Sequence, residues 1–190
     1  VLLAVFLASA STVADDTSPT DRIHNRTFPS VFQAWSRADN LPDEPQDETV
    51  ARHDLIWHGP LFFGLEWNNR YHGSANGFMP QSIQRARVFR QNLLKLNPNM
   101  ILIAEIRYRD AHRRYLPDGH EWWLRDDNER ITPGWEEGAY LCLDFHNPAF
   151  RSHVAKQAQA AVASGAVDGV MLDWWSDDPD RLALIKQVRE

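Results

Sequence analysis

Cysteine is nearly absent from the sequence, which has Cys142 alone among its 190 residues. One cysteine cannot form an intrachain disulfide, so the fold must be held by its core. Cys142 lies in an apolar run, as is typical of a small buried side chain. Excess positive charge is missing too, since the formal net charge is -6 at pH 7. Nucleic-acid-binding domains are usually basic, and no Lys/Arg cluster flanks an amphipathic segment, so we expect neither nucleic acid nor a membrane surface as a partner.

The common short motifs of catalysis and cofactor binding are missing as well. The chain contains no HExxH, CxxC, GxGxxG, GxxxxGK[ST] or GxSxG pattern. Its eight histidines form no close pair at helical spacing. We therefore predict no metal and no cofactor, although His112, His120 and His146 could contact a substrate.

The first 14 residues, VLLAVFLASASTVA, look like the apolar part of a secretory signal with cleavage after Ala14. The run is too short to cross a bilayer. It lacks an initiator Met and a basic start, so we expect a remnant of a signal on a truncated chain, and a secreted or periplasmic protein. A buried apolar helix is the alternative. Residues 15–28 are polar without periodicity and are predicted to be a linker, and residues 29–190 are predicted to fold.

From residue 29 onward, short apolar runs alternate with helical patterns. Strands are predicted at Pro29–Trp35, Asp54–His58, Met100–Ile106 and Val167–Asp173, with an extra strand within 140–145. Helices are predicted within 41–54, where a short helix would start near Pro45, within 77–97, from Asn147 to Gly165 and from Asp178 onward. Their predicted apolar faces are Ile83, Ala86, Phe89, Leu93 and Leu96; Phe150, Val154, Ala158, Ala161 and Val162; and Leu182, Ile185 and Val188. The run 61–67 fits either a strand or a packed loop.

Alternating strands and helices predict an α/β fold with a parallel sheet and crossover helices. A doubly wound open sheet and a (β/α)8 TIM barrel both satisfy this pattern. A complete barrel needs roughly 250 residues. In the barrel solution, the chain therefore holds only the first four β/α units.

Tryptophan is abundant, with eight residues in the chain. They follow predicted strand ends or lie in the long connection 107–147, and none lies in the three clearest helices. Ligands of parallel α/β folds bind at the carboxyl ends of the strands, and indole rings suit the apolar faces of sugars. We therefore predict a carbohydrate ligand, with packing under loops as the alternative. The predicted substrate-binding residues are Trp35, Trp67, Trp122, Trp123, Trp174 and Trp175, together with Glu66 and His146.

Carboxylates follow the same strand ends. Asp173 ends one buried run, Glu105 lies near the end of another, and Asp144 ends a weaker one. A carboxylate at such a place is costly unless it is paired or faces a cleft. Glycoside hydrolysis usually requires two carboxyl groups, so Asp173, Glu105 and Asp144 are the predicted catalytic residues. For Asp173 the alternative is a loop cap or an ion pair with Arg107 or Arg109.

Other carboxylates in the last quarter of the chain fit structural roles. Asp168 lies at the entry of its strand in an Asp-Gly turn, which indicates a structural residue. Asp177, Asp178 and Asp180 fit the capping and first turn of the last helix.

An ordered set of segments carries a family resemblance. LDFHNPAFRSHV followed by GAVDGVMLDWW resembles a pattern of carbohydrate-active (β/α)8 barrels. With FQAW, ARHDLIWHG and LNPNMILIAEIRY, residues 29–178 most resemble the hypothetical glycosyl hydrolase family fifteen. The resemblance implies a glycoside hydrolase with Asp173 as nucleophile and a general acid on a later strand. It therefore implies that Glu105 or Asp144 supplies the acid here, or that the acid lies beyond this chain.

The leading hypothesis is thus a secreted glycoside hydrolase, or its N-terminal half. A carbohydrate-binding barrel without catalysis and a different, metal-dependent α/β hydrolase are the rivals. A half barrel exposes strand edges, so we also expect the chain to self-associate.

Overall fold

The computed structural model describes residues 17–26, 30–34, 43–135 and 139–190. The strands are β1 (Phe32–Ala34), β2 (Leu55–His58), β3 (Ile101–Glu105), β4 (Asp110–His112), β5 (Tyr140–Cys142) and β6 (Gly169–Met171). The α-helices are α1 (Pro19–His24), α2 (Gln46–Ala51), α3 (Pro80–Leu96), α4 (Pro148–Ala163) and α5 (Pro179–Arg189). Two short 3-10 helices, Pro60–Phe63 and His72–Ser74, lie between β2 and α3. None of the helices in the described part is long and apolar enough to cross a membrane.

The main sheet is parallel, with the order β1-β2-β3-β6. Strands β4 and β5 form a separate antiparallel pair inserted between β3 and α4. In the main sheet each new strand is added beside the previous one, as at the start of a (β/α)8 barrel, whereas a doubly wound sheet reverses its order at a switch point. The predicted α/β fold is confirmed, and the strand order favours the barrel solution.

The register gives the main sheet two faces. Ile56, Leu102 and Ala104 lie on one face, are fully buried, and belong to the core beneath the helices. Trp57 and Ile103 pair on the other face. Glu105 pairs with Met171 on that second face, and the alternation of side chains directs Asp173 towards it as well.

Local sequence signals place the starts of the later helices correctly. The Asn147 side chain accepts hydrogen bonds from the amides of Ala149 and Phe150, and Pro148 occupies the first turn of α4. Asp178 caps α5 in the same way through the amides of Asp180 and Arg181. Both caps satisfy amides that have no partner inside the helix.

The predicted apolar faces are confirmed for the middle of each helix and are wrong towards the helix ends. Leu96, Val162 and Leu182 are 52%, 46% and 44% exposed, respectively, and Leu184 is buried in place of Leu182. In α4 the stripe includes the fully buried Gln157, whose amide donates to the backbone oxygens of His72 and Ala75. A polar side chain is tolerated there because its hydrogen bonds are satisfied.

The predicted linker is wrong for residues 17–26, which contain α1. Arg22 of this helix is 1% exposed and binds the carboxylate of Asp168 and the carbonyl oxygen of Met100. Arg90 of α3 binds the same carboxylate at 2.8 Å. The helix is therefore anchored by one buried guanidinium rather than by an apolar stripe, so no periodicity revealed it. The predicted structural role of Asp168 is confirmed.

The remaining predictions concern the run 61–67, the signal segment and Trp35. The undecided run 61–67 belongs to the 3-10 helix Pro60–Phe63, which is followed by Gly64 with a φ of 84° in the left-handed region. Trp67 then forms a bridge to Phe78. The predicted signal residues 1–14 and Trp35 lie outside the described residues.

Candidate active site

A small cavity of about 10 Å³ lies at the carboxyl ends of β3 and β6. Its lining residues are Glu105, Ile106, Arg107, Tyr108, Arg109, Asp110, Asp173 and Trp174. Two predicted catalytic residues, Glu105 and Asp173, therefore meet at one place, as expected for carboxylates that follow neighbouring parallel strands.

Glu105 is the last residue of β3 and is only 4% exposed. The Nε atom of Arg107 lies 3.0 Å from its Oε1 atom. A buried charge is stable only when it is paired, so Arg107 is the reason that a carboxylate can stand here. Glu105 is thus a fixed part of the cavity wall.

Asp110 is a second buried carboxylate of the cavity, and the sequence analysis missed it. It is 2% exposed. Its Oδ2 atom lies 3.0 Å from Nη1 of Arg109 and accepts the backbone amide of Trp135 at 3.2 Å. The approach of Gly134 requires glycine, because a Cβ atom there would lie 2.9 Å from Cβ of Asp110. The available signal was the charged segment RYRD directly after an apolar strand.

Asp173 is less constrained than these two carboxylates. It is half-buried, and its Oδ1 atom accepts the amide of Trp174 at 2.8 Å. Of the two predicted alternatives, the ion pair with Arg107 or Arg109 is not what the described contacts show, since those arginines bind Glu105 and Asp110. The hydrogen bond to the Trp174 amide fits the other alternative, a loop cap. The carboxylate remains partly exposed to solvent.

Trp174 adopts a strained backbone conformation beside Asp173. Its φ of 59° lies in the left-handed region. This conformation is energetically unfavourable for a residue with a large side chain. The Tyr108 hydroxyl donates to the Trp174 carbonyl oxygen at 2.9 Å, and Arg181 donates to the same oxygen at 3.0 Å. These contacts hold the loop in place and leave the indole 51% exposed.

The Tyr108 hydroxyl remains a hydrogen-bond donor in this site. Burial raises its pKa above the usual value, and the nearby Arg181 and Arg109 only partly oppose this effect. The phenol is therefore protonated at neutral pH and keeps its bond to the loop that carries Asp173.

A separate cleft of about 440 Å³ lies along the connection between β2 and α3, and Glu66 and Trp67 both line it. Trp67 stacks on Phe78 with ring centroids 4.1 Å apart. Glu66 binds Arg85 at 2.7 Å, with both side chains half exposed. These two predicted substrate-binding residues therefore belong to a different concavity from Asp173.

Asp144 and His146 lie in the turn before α4, and neither lines the cavity of Glu105 and Asp173. Asp144 follows β5, which belongs to the two-stranded sheet rather than to the main sheet. Its carboxylate accepts the amide of His146 at 3.1 Å. The His146 ring lies 2.8 Å from the Asp180 carboxylate.

The described residues contain a group of three possible metal ligands, His146, Asp178 and Asp180, whose ligand atoms lie within 4.8 Å. Their known contacts account for this closeness without an ion. Asp178 caps α5, and Asp180 binds Arg151 at 2.7 Å. The hydrogen bond from His146 is the main reason that the pKa of Asp180 lies below its usual value.

Four of the predicted tryptophans that the structure describes fall into two groups by their exposure. Trp123 is 2% exposed and donates its indole N–H to the carbonyl oxygen of Pro117, so it packs in the core rather than in a binding surface. Trp122 is half-buried against Phe150 and His153. In contrast, Trp174 and Trp175 are 51% and 45% exposed beside Asp173.

A solved structure resembles this arrangement of strands and helices. It is a noncanonic maltogenic alpha-amylase, AmyB from Thermotoga neapolitana, with a TM-score of 0.53 and 14% sequence identity. The match covers 84% of this chain and 43% of the amylase, so the chain spans less than half of that protein's length. At this identity the likeness shows the fold, which in the amylase is a TIM barrel.

No protein-family model and no curated protein matches the chain. The resemblance to the hypothetical glycosyl hydrolase family fifteen therefore stays a prediction.

Proposed function

We propose that the protein is a glycoside hydrolase and that this chain supplies the first four β/α units of its barrel. One observation carries the proposal: Glu105 and Asp173 follow neighbouring parallel strands and line one cavity at the carboxyl end of the sheet. This is the end at which TIM-barrel enzymes hold their catalytic residues. The likeness in fold to an amylase supports the assignment.

In the proposed mechanism, Asp173 is the nucleophile or the base. Its half-exposed carboxylate attacks the anomeric carbon of the sugar, or activates a water molecule that does so, as the bond to the leaving oxygen breaks. Glu105 and Arg107 form a fixed ion pair that lines the same cavity, and Trp174 packs against the sugar ring. Such fixed charges stabilise the positive charge that develops on the ring without reorganising during the reaction.

A proton must reach the leaving oxygen, and two arrangements can supply it. Within this chain the candidate donor is Glu105, which lines the same cavity as Asp173. Because Glu105 is the ionised partner of Arg107 in the free protein, it must take up a proton before it can donate one. The other arrangement is a carboxylate on a later barrel strand of a longer protein. Loss of activity in Glu105→Gln with restored turnover on substrates that have an acidic phenol as leaving group would identify Glu105, since such leaving groups need no proton.

We also propose that the protein is secreted or periplasmic and acts on an oligosaccharide or polysaccharide. The apolar run of residues 1–14 supports export. Exposed indoles beside Asp173 support a carbohydrate ligand.

The test compares Asp173→Asn with Asp177→Asn, an exposed carboxylate of the same loop. Hydrolysis of a panel of 4-nitrophenyl glycosides is measured for both variants after their circular dichroism spectra have been matched. We expect Asp173→Asn to lose activity by about 10²–10⁴-fold, in the range of a lost catalytic group, and Asp177→Asn to keep it. Turnover by Asp173→Asn close to that of the parent would contradict the proposal.

The exposure of Trp174 and Trp175 also favours a second candidate, a carbohydrate-binding barrel without catalysis. Glycan binding that survives Asp173→Asn, in a protein that hydrolyses none of the glycosides, would identify this function instead.

A further inference from the structure

The cavity contains two arginines that the proposed mechanism uses only in part. Arg107 and Arg109 follow β3 and are 33% and 31% exposed at their side chains. Their carboxylate partners Glu105 and Asp110 are 3% and 2% exposed. The four formal charges cancel, but the charge that reaches the solvent is that of the guanidinium groups.

These guanidinium groups are held in place from below. Asp110 lies between them, 3.0 Å from Nη1 of Arg109 and 3.8 Å from Nη1 of Arg107. Arg107 is also fixed by Glu105 at 3.0 Å. A guanidinium that is already ordered loses little entropy when it binds a ligand.

Aromatic rings flank both arginines. The guanidinium of Arg109 lies 4.5 Å from the centre of the Trp174 ring, and that of Arg107 lies 5.6 Å from the centre of the Tyr140 ring. Both distances are within the range of cation–π contact. The result is a surface of two planar cations and an exposed indole, next to the half-buried Asp173.

We propose that Arg107 and Arg109 form a subsite for a sugar that bears a carboxylate, such as a uronic acid residue of an acidic polysaccharide. A guanidinium matches the two oxygens of a carboxylate with parallel hydrogen bonds, and the indole suits the apolar face of the same sugar. Asp173 repels an anion, so the sugar carboxylate lies on the side of the arginines. This inference rests on the proposed function and narrows its substrate class.

The experiment measures binding by calorimetry with pairs of oligosaccharides that differ only in oxidation at C6. The pairs are oligoglucuronate against oligoglucose, oligogalacturonate against oligogalactose and oligomannuronate against oligomannose, with the sulfated neutral sugars as a third arm. We expect an acidic member to bind at least tenfold more tightly than its neutral partner, with affinity that falls as salt rises. Equal binding of both members of every pair would overturn the proposal, and preference for the sulfated arm alone would overturn the assignment to a carboxylate.

Variants separate the subsite from general charge. Arg109→Gln alone removes one of the two guanidinium groups that neutralise the buried Asp110. The double variant Arg109→Gln with Asp110→Asn removes both charges and so keeps the pair neutral. We expect this double variant and Arg107→Gln to lose the preference, and Arg109→Lys to weaken it, since lysine keeps the charge but lacks the planar fork. Arg114→Gln replaces an exposed arginine that does not line the cavity; it is the matched control and keeps the preference. Preference that survives in folded Arg107→Gln and in the double variant would overturn the proposal.

Failure of this inference is distinguishable from failure of the proposed function. Selective binding of a uronate without hydrolysis of any glycoside supports the subsite and contradicts the hydrolase. Hydrolysis of neutral glycosides without a preference for uronates supports the hydrolase and contradicts the subsite.

Discussion

Trp174 joins strain and exposure in one residue. Its backbone is in the left-handed region, and two hydrogen bonds to its carbonyl oxygen hold it there. For residues other than glycine, this backbone conformation costs roughly 1–2 kcal/mol of stability. Such strain is typically retained where a side chain has a task, which here is to present an indole beside Asp173.

We therefore predict that Trp174→Gly raises the free energy of unfolding by about 1 kcal/mol, the strain that glycine relieves, while carbohydrate binding falls. Urea denaturation and calorimetry measure the two effects. Trp175→Gly is the control, because Trp175 is exposed but has no positive φ. It should lose binding without gaining stability. A loss of stability in Trp174→Gly equal to that in Trp175→Gly would contradict the prediction.

At the residue scale, the sequence pointed to Asp173 and Glu105 because each follows a continuous apolar run. It could not show Asp110, because the burial of Asp110 depends on Gly134 and Trp135, which are distant in the sequence, as well as on the two neighbouring arginines. It also could not separate Trp123 from Trp174. Both are tryptophans in loops, and only the packing around them decides which ring is exposed.

Among the elements, α1 depends on a network rather than on an apolar surface. Arg22 and Arg90 share the carboxylate of Asp168, which also accepts the amide of Leu102 at 2.8 Å. Burial alone would raise the pKa of Asp168, but the hydrogen bonds from Arg90 and Arg22 hold it below its usual value. The ionised carboxylate is thus the form that ties α1 and α3 to β3.

Removing this carboxylate should be costly. We predict that Asp168→Asn lowers the free energy of unfolding by roughly 3–5 kcal/mol at pH 7, because two buried guanidinium groups lose their partner. Asp126→Asn, which breaks an exposed pair with Arg130, should have little effect. Chemical denaturation of both variants measures the difference, and equal losses would contradict the prediction.

The same network predicts how stability depends on pH. The folded pKa of Asp168 lies below the value of about 3.9 expected in the unfolded chain. Its stabilisation is therefore fully present above about pH 4 and is lost as the pH falls through the folded pKa. Thermal melts of the parent should decline over this acidic range more steeply than those of Asp168→Asn. Parallel declines would show that other groups dominate.

Local signals predicted α4 and α5 well because their caps lie within three residues of the helix start. Helix α1 has a similar start signal, since the Ser18 side chain accepts the Asp21 amide and Pro19 occupies the first turn, but its polar sequence lacks the apolar periodicity of a packed helix. The prediction failed for Leu182 because neighbouring elements decide which side of α5 is covered.

At the scale of the whole molecule, the open edges of the main sheet are the feature that bears most on self-association. In the described part of the chain, β1 and β6 each have one neighbour, and β1 carries Phe32 at 58% exposure, while β6 carries Met171 at 36%. Unpaired edges with apolar side chains are templates for association. The α/β class could be predicted from the alternation of elements, whereas the order of the strands, which favours the barrel, and the separate β4–β5 pair required the structure.

We predict that the purified chain is a dimer or larger species at micromolar concentration. Phe32→Lys should shift it towards the monomer by placing a charge on the β1 edge. Leu61→Lys, an exposed leucine outside the strands, should not. Sedimentation velocity measures the masses. A parent chain that is a monodisperse monomer and melts cooperatively would contradict the prediction.

The pairing of Arg22 with Asp168 joins positions 146 residues apart, and this separation bears on synthesis in the cell. Ribosomes add about 5–20 residues per second, so α1 waits on the order of ten seconds before its partner carboxylate is made. During that interval Arg22 has no Asp168 to bind, and the polar helix has no apolar face to dock. The first helix of the described chain is therefore among the last parts to settle, and nascent chains stalled before residue 168 should leave it open to proteases.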